Sequence, residues 1–356
     1  MLLLDNIIFE LQYVGGVSMV WRSILDACYK DNLDYRVLES AKNSFNNMCR
    51  PSYIDSAKLI KDKYPLFLRR HLDVVSSKNI SLFHSSYYRV HRNPNVTNIV
   101  TVHDMICEMF DKGLRGKACS YQKKHALLKA DVVICVSNNT KNDLIDCYPW
   151  VASRDIRVIH NGFNPLFSTA RPSNNNFALN DEPYLLYVGG RNIHKNFSAG
   201  IEMIKLQESN SIGLHLMVVG GGEFTPDEES LIRRLQLTER VHCLGNVDDM
   251  TLLHLYFSAF SLVYPSFYEG FGIPPLEAMA AGCPVICSNS SSIPEVVGNA
   301  GLLFDPNDII NAGKIIEELT DSLYRDDVIN LGFNQSKKFS WESTGLNTLE
   351  LYKQYL

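Results

Sequence analysis

The sequence predicts an α/β protein of two domains, and three observations carry that prediction. Short apolar runs alternate with helix-forming stretches along most of the 356 residues. Several of those runs end in glycines followed by a helix start, an arrangement that offers main-chain N–H groups and a helix dipole to an anion. Near the middle, STARPSNNNFALNDE (168–182) is polar and aperiodic, which places the domain boundary there. The length is long for one core and comfortable for two.

In chain order, 2–9 reads as a strand, a loop carries Gly15 and Gly16, and 17–27 reads as a helix. The paired glycines let the backbone come close to a phosphate or sugar, although a tight strand-to-helix turn explains them equally well. Residues 28–97 mix polar helical stretches with short strands such as 80–84. The strand at 98–102 ends at His103-Asp104, and a side chain at the carboxyl end of a parallel strand points into the crevice where such sheets bind ligands. Residues 130–136 form a buried strand, Ser137 caps the helix that follows, and a short strand at 156–159 precedes the turn His160-Asn161-Gly162.

The second series begins with a strand at 184–188 leading to Gly189, Gly190 and Arg191. Arg191 and Lys195 are four apart, which on a helical turn places both cations on one side, within reach of a diphosphate. A strand at 214–219 ends in Gly220-Gly221-Gly222, and another at 241–244 runs into Gly245-Asn246-Val247, with Asp248 capping a helix through 257. Next comes YPSFYEGFGIPPLEAMAAGCPVICSNSSSIPE (264–295). Here a strand gives way to the loop Glu269-Gly270-Phe271-Gly272, a helix begins at Pro274 or Pro275, and Gly282 stops it before the strand 284–287. Glu269 in the loop and Glu277 in the helix's first turn can both face one cleft. Residues 339–356 form a terminal amphipathic helix.

Composition is that of an ordinary globular protein, and no apolar run has membrane-spanning length or the form of a signal peptide. The nine cysteines form no CxxC pair and read as reduced thiols, so a cytosolic location is expected and a zinc site is not. Net charge is −5, but residues 1–170 hold 22 Lys and Arg against 16 acids, and the remainder 12 against 23. A basic first half without nucleic-acid motifs suits anionic substrates or an anionic membrane surface; solvated helix faces explain any single basic pair.

The run EGFGIPPLEAMAAGCPVI closely resembles the Glu-x7-Glu motif of retaining glycosyltransferases of family 4. The resemblance extends over nearly the whole chain, strongly from 184 to 306 and loosely before residue 98, and includes bacterial O-antigen and surface-polysaccharide mannosyltransferases. It implies the GT-B fold: two Rossmann-like domains facing each other across a cleft, an acceptor-binding domain at 1–168, a linker at 169–182, a nucleotide-sugar domain at 183–338 and a terminal helix (339–356) returning to the first domain. It implies that Arg191 and Lys195 hold the donor's phosphates, with Gly15, Gly16 and Gly190 alongside. Asn246 and Val247 would touch the base and Glu277 the ribose hydroxyls. Glu269, with the amides of Gly270, Phe271 and Gly272, would grip the donor sugar, and His103 would lie close to that sugar.

No Asp-x-Asp motif stands at a plausible strand end, so neither a metal nor another cofactor is expected. The expected partners are a nucleotide-sugar donor, GDP-mannose on the resemblance alone, and a lipid-linked glycan acceptor, with peripheral contact to anionic inner-membrane lipid through the basic half and no nucleic acid. The expected location is cytoplasmic, with that membrane contact on its inner face. UDP-sugar donors, a sugar-nucleotide 2-epimerase of the same architecture and a non-catalytic sugar-nucleotide binder are the competing readings. A dehydrogenase is weaker, since no GxGxxG follows the first strand.

Overall fold

A computed structural model describes the chain except for residues 41–47, 55, 77–78, 171–181 and 208–212. Most of the expected linker at 169–182 therefore lies outside the described residues. The chain forms two compact units, Met1–Gly162 with Ser340–Leu356, and Phe163–Phe339.

The first unit is built on seven parallel strands: β1 Leu2–Asp5, β2 Tyr35–Ser40, β3 Leu59–Asp62, β4 Leu82–Ser85, β5 Thr97–Val102, β6 Val132–Cys135 and β7 Asp155–Val158. Their order is β3-β2-β1-β4-β5-β6-β7. β1, β4 and β6 are buried along their whole length, as expected of parallel strands covered on both faces. The expected strand over 2–9 is corrected: β1 stops at Asp5, and Ile8–Leu11 is a helix. The break follows from Asn6, whose amide donates to Glu39 at 2.7 Å and whose carbonyl accepts from the Trp21 indole at 2.6 Å. The Asn6 N–H still donates to Leu38 O at 3.1 Å, so pairing with β2 reaches one residue past β1 before the chain turns into the helix.

The terminal helix, Trp341–Tyr355, packs on the helix Gly16–Lys30. The approach depends on Gly345, where an added Cβ would stand 2.3 Å from the Ser23 carbonyl oxygen. Tyr352, fully buried, meets His84 at 2.5 Å through its hydroxyl, and His84 Nε2 lies 2.8 Å from Thr101 Oγ1. The helix thus completes the first unit's core.

The second unit has six parallel strands: β8 Tyr184–Val188, β9 His215–Val219, β10 Val241–Gly245, β11 Ser261–Tyr264, β12 Val285–Ser288 and β13 Gly301–Phe304, in the order β10-β9-β8-β11-β12-β13. Each sheet reverses its winding once, between β1 and β4 in the first and between β8 and β11 in the second. The loops leaving those strand pairs part to opposite faces and open a crevice at the carboxyl ends, the place where open α/β sheets hold ligands. No described helix is long and apolar enough to cross a membrane.

Candidate active site

In the second unit the loop after β8 meets the loop after β11 at the winding reversal. Ile193–Lys195 is one 3₁₀ turn, and Asn196 follows in the left-handed region at φ 50°. The Asn196 amide donates to the carbonyls of Pro265 at 3.2 Å and Pro306 at 3.1 Å, and the Phe267 N–H donates to His194 O at 2.8 Å. Laced this way, the loops bring Lys195 Nζ to both carboxylate oxygens of Glu269, at 2.6 and 2.7 Å. Tyr264 OH lies 3.4 Å from the same ammonium. Glu269 is fixed from the far side as well: Ser266 Oγ donates to its carboxylate at 2.7 Å, and Ser291 and Ser292 donate to its carbonyl at 2.8 and 2.9 Å. Lys195 keeps 20% of its side chain exposed, so an incoming anion can reach it.

Arg191 does not point the same way. Its Nε donates to Glu228 at 2.9 Å, Nη1 to the carbonyls of Gly220 and Gly222 at 2.8 and 3.1 Å, and Nη2 to Glu223 O at 2.5 Å. Four hydrogen bonds engage most of a guanidinium's five N–H donors, and the side chain is only 4% exposed. Spacing suggested two cations side by side; in the structure Lys195 meets Glu269 while Arg191 fastens the glycine loop after β9. The loop requires such a fastener. Gly220, Gly221 and Gly222 all have positive φ, and a Cβ on Gly221 would stand 2.6 Å from Arg191 Nη1. Gly190 borders the same region, accepting a 2.8 Å bond from the Tyr187 hydroxyl.

Glu277 lies on the helix Ile273–Ala281, which Gly272 introduces at φ 116°. Pro274 and Pro275 occupy two of the first three positions. Of the four N–H groups a helix normally leaves unpaired at its start, two are therefore absent. Tyr256 OH donates to Glu277 Oε2 at 3.2 Å. Burial pushes the Glu277 carboxyl up to about 7; the Tyr256 bond opposes the shift and the charge of Asp249 adds to it. Phe271 is buried, and its carbonyl accepts from Ser292 at 2.7 Å. Asn246 and Val247 follow the carboxyl end of β10, and Asp248 caps the next helix by accepting from the Thr251 N–H at 2.7 Å.

In the first unit Gly15 and Gly16 stand where the helix Gly16–Lys30 begins. His103 follows the carboxyl end of β5; burial and nearby Lys123 lower its pKa to about 4, against the pull of Asp104, so its imidazole is neutral near pH 7. Sequence reasoning missed the buried ion network beside the first winding reversal. Arg89 donates to Asp5 at 2.8 Å and to Asp62 at 3.0 Å, and Arg69 pairs with Glu10. Residues 27 to 84 positions apart form these bonds, and no local pattern announces such pairs. The expectation of uniformly reduced thiols is also corrected: Cys107 and Cys119 form a disulfide, while Cys28, Cys49, Cys135, Cys283 and Cys287 are buried thiols.

Comparison with known proteins bears on both units. A family profile described as "Glycosyltransferase Family 4" matches residues 14–165, and one described as "Glycosyl transferases group 1" matches residues 171–333. The chain is 31% identical to O-antigen chain mannosyltransferase B of Escherichia coli over 278 residues, 75% of this chain and 72% of that one. It is 30% identical to the O-antigen chain mannosyltransferase RfbU of Salmonella typhimurium over 320 residues, covering 88% and 86%. Among solved structures it resembles sucrose-phosphate synthase from Thermosynechococcus elongatus, with a TM-score of 0.75, 22% identity and coverage of 99% and 98%. It likewise resembles WaaG, a glycosyltransferase involved in lipopolysaccharide biosynthesis, with a TM-score of 0.68, 15% identity and coverage of 99% of each chain. At these identities the two structures speak for the fold, which is GT-B.

Proposed function

The chain belongs to glycosyltransferase family 4, and on that premise we propose that it moves mannose from GDP-mannose to a lipid-linked glycan, retaining the anomeric configuration and needing no divalent cation. Its glycosyltransferase activity follows from the family; donor, stereochemistry and metal independence are the proposal. The observation that carries it is the Lys195–Glu269 pair at the winding reversal of the second sheet.

Breaking the bond from the sugar's anomeric carbon to the diphosphate sends the electron pair to the departing phosphate. Lys195 supplies positive charge for that oxygen, and Glu269 holds the ammonium in place. When the donor arrives, its phosphate competes for Lys195 and releases part of the carboxylate to accept from sugar hydroxyls. A preorganised donor of this kind supplies roughly 10²–10³ in rate. Glu277, once deprotonated, accepts from the ribose hydroxyls, with Tyr256 fixing its orientation. Arg191 supports the reaction through the loop it fastens. In the first unit, Gly15, Gly16 and the neutral His103 are the candidate ligand-facing groups, and this unit binds the acceptor.

The test is a thermal-shift screen of GDP-, UDP-, ADP- and dTDP-sugars, followed by NMR of the anomeric configuration of the product. The expected result is selective stabilisation by GDP-mannose, near 2.7 kcal/mol at about a hundredfold excess over Kd, and a retained anomer formed in EDTA. Selective stabilisation by a UDP-sugar, an inverted product or a strict Mg²⁺ requirement would overturn the corresponding part. Formation of a 2-epimeric nucleotide sugar without acceptor would favour the epimerase reading.

A further inference from the structure

A large cavity of the first unit lies apart from the glycines and His103, at the carboxyl ends of β2 and β3. It has a volume of about 530 Å³, within the range of ligand sites. Its carboxylates are already committed: Asp62 to Arg89 at 3.0 Å, and Asp73 to His125 and Lys129 at 2.9 and 2.5 Å. Arg89 is neutralised in turn by Asp5. Three lining cations, Lys61, Lys63 and Arg92, are exposed and have no ion pair among the described residues. The cavity therefore carries an unbalanced positive charge.

A smaller recess of about 120 Å³ shares the wall formed by His71, Asp73 and Arg89. Two buried polar atoms of its lining, Arg70 Nε and Gln122 Oε1, have no hydrogen-bond partner among the described residues. One is a donor and the other an acceptor, the pair a sugar hydroxyl satisfies at once. Tyr121, 72% exposed, presents a flat ring at the same recess. Anion selectivity and a hydroxyl-binding recess thus adjoin.

We propose that this cavity is an acceptor subsite for a glycosyl diphosphate, with the diphosphate at Lys61, Lys63 and Arg92 and the adjoining sugar in the Arg70–Gln122–Tyr121 recess. The inference rests on the transferase reading above and names the chemical class of its acceptor. An anionic phospholipid headgroup offers the same phosphate chemistry without the sugar, and the recess favours the glycosyl diphosphate.

The experiment is calorimetric titration of the full chain, saturated with its stabilising nucleoside diphosphate, with inorganic pyrophosphate and with N-acetylglucosamine 1-diphosphate. Phosphatidylglycerol vesicles form a parallel arm. The wild-type chain should bind both soluble probes, the sugar diphosphate more tightly. The triple variant Lys61→Glu, Lys63→Glu, Arg92→Glu should weaken both at least tenfold, and Gln122→Leu should remove only the advantage of the sugar. Melting curves establish that each variant is folded, and Arg92→Glu alone serves if the triple variant is not. Equal binding by wild type and charge-reversed chains, loss of binding in Lys195→Ala instead, or binding to vesicles alone would each overturn the assignment. The titration requires no turnover, so a chain that binds the probes yet transfers no sugar would sink the transferase reading and leave the subsite standing.

Discussion

The carboxyl ends of the two sheets use charge in opposite ways. In the first unit Asp5, Arg89 and Asp62 form a chain of buried ion pairs, and Arg69 with Glu10 forms another alongside. Arg69 and Arg89 are all but sealed from solvent. At the winding reversal of the second sheet the pair Lys195 and Glu269 stands among glycine loops, with the lysine still reachable. Pairs buried on both sides and cut off from water are framework. A cation with a carboxylate partner and an open flank can exchange that partner for a substrate. Arg191 shows that the distinction is not one of location, because it lies on the reactive loop and is spent as framework.

The comparison breaks most visibly if the buried network is cut. Arg69→Ala leaves Glu10 without its counter-charge in the interior and should cost about 3–5 kcal/mol, the usual penalty for halving a buried pair. Urea melts of the full chain measure it, and a loss under 1 kcal/mol would mean the network is not framework. At the exchangeable pair the loss should appear in turnover. Lys195→Ala and Glu269→Ala should each lower kcat at least a hundredfold, about 2.7 kcal/mol of barrier, while the melts shift little. Since both residues act as one unit, the double variant should be scarcely slower than the worse single one. Near-normal sugar transfer by either variant would refute the assignment.

Arg191→Lys sharpens the contrast. A lysine cannot reproduce the planar fork that holds Gly220, Gly222 and Glu223, so donor affinity should fall about tenfold, near 1.4 kcal/mol. Loss of a fastener weakens a nucleoside and its diphosphate by the same factor; loss of a phosphate ligand weakens only the diphosphate. Competition assays with both separate the two. The smallest effect concerns Glu277. Its folded carboxyl, raised from 4.5 to about 7, holds a proton that the unfolded chain has already released, so its contribution to stability is complete below about 4.5 and disappears as pH rises through 7. Partial exposure trims this to about 1 kcal/mol between pH 5 and 8. Melting temperatures across that interval should fall more for wild type than for Glu277→Gln. Donor affinity should rise over the same interval, because the ribose needs the ionised form.

Much of this was legible in the sequence. Strand, glycine loop, proline-led helix and stop at 260–288 follow from local chemistry, and so do the caps Ser137 and Asp248, each accepting from an N–H three residues ahead. What could not be read depends on distant partners. β3 is a partly exposed edge strand of four residues with no alternation to mark it. Arg191 and Lys195 diverge because the carbonyls after β9 and the carboxylate after β11 compete for them, and spacing along the chain contains neither. The cavity with Lys61, Lys63 and Arg92 is assembled from segments between Leu38 and His125; its basic pairs were visible, its enclosure was not.

The seat of the terminal helix sets an order of events during synthesis. The first unit's core waits for Tyr352 to reach His84, yet the ribosome must first make all of residues 163–339. At ~5–20 residues per second that delay is roughly 10–40 s. The second unit can mature inside it, while the earlier-made sheet stays unfinished with the groove for its last helix still open. A nascent chain stalled before Ser340 should therefore expose an apolar face that chaperones recognise, and one completed past Tyr352 should not.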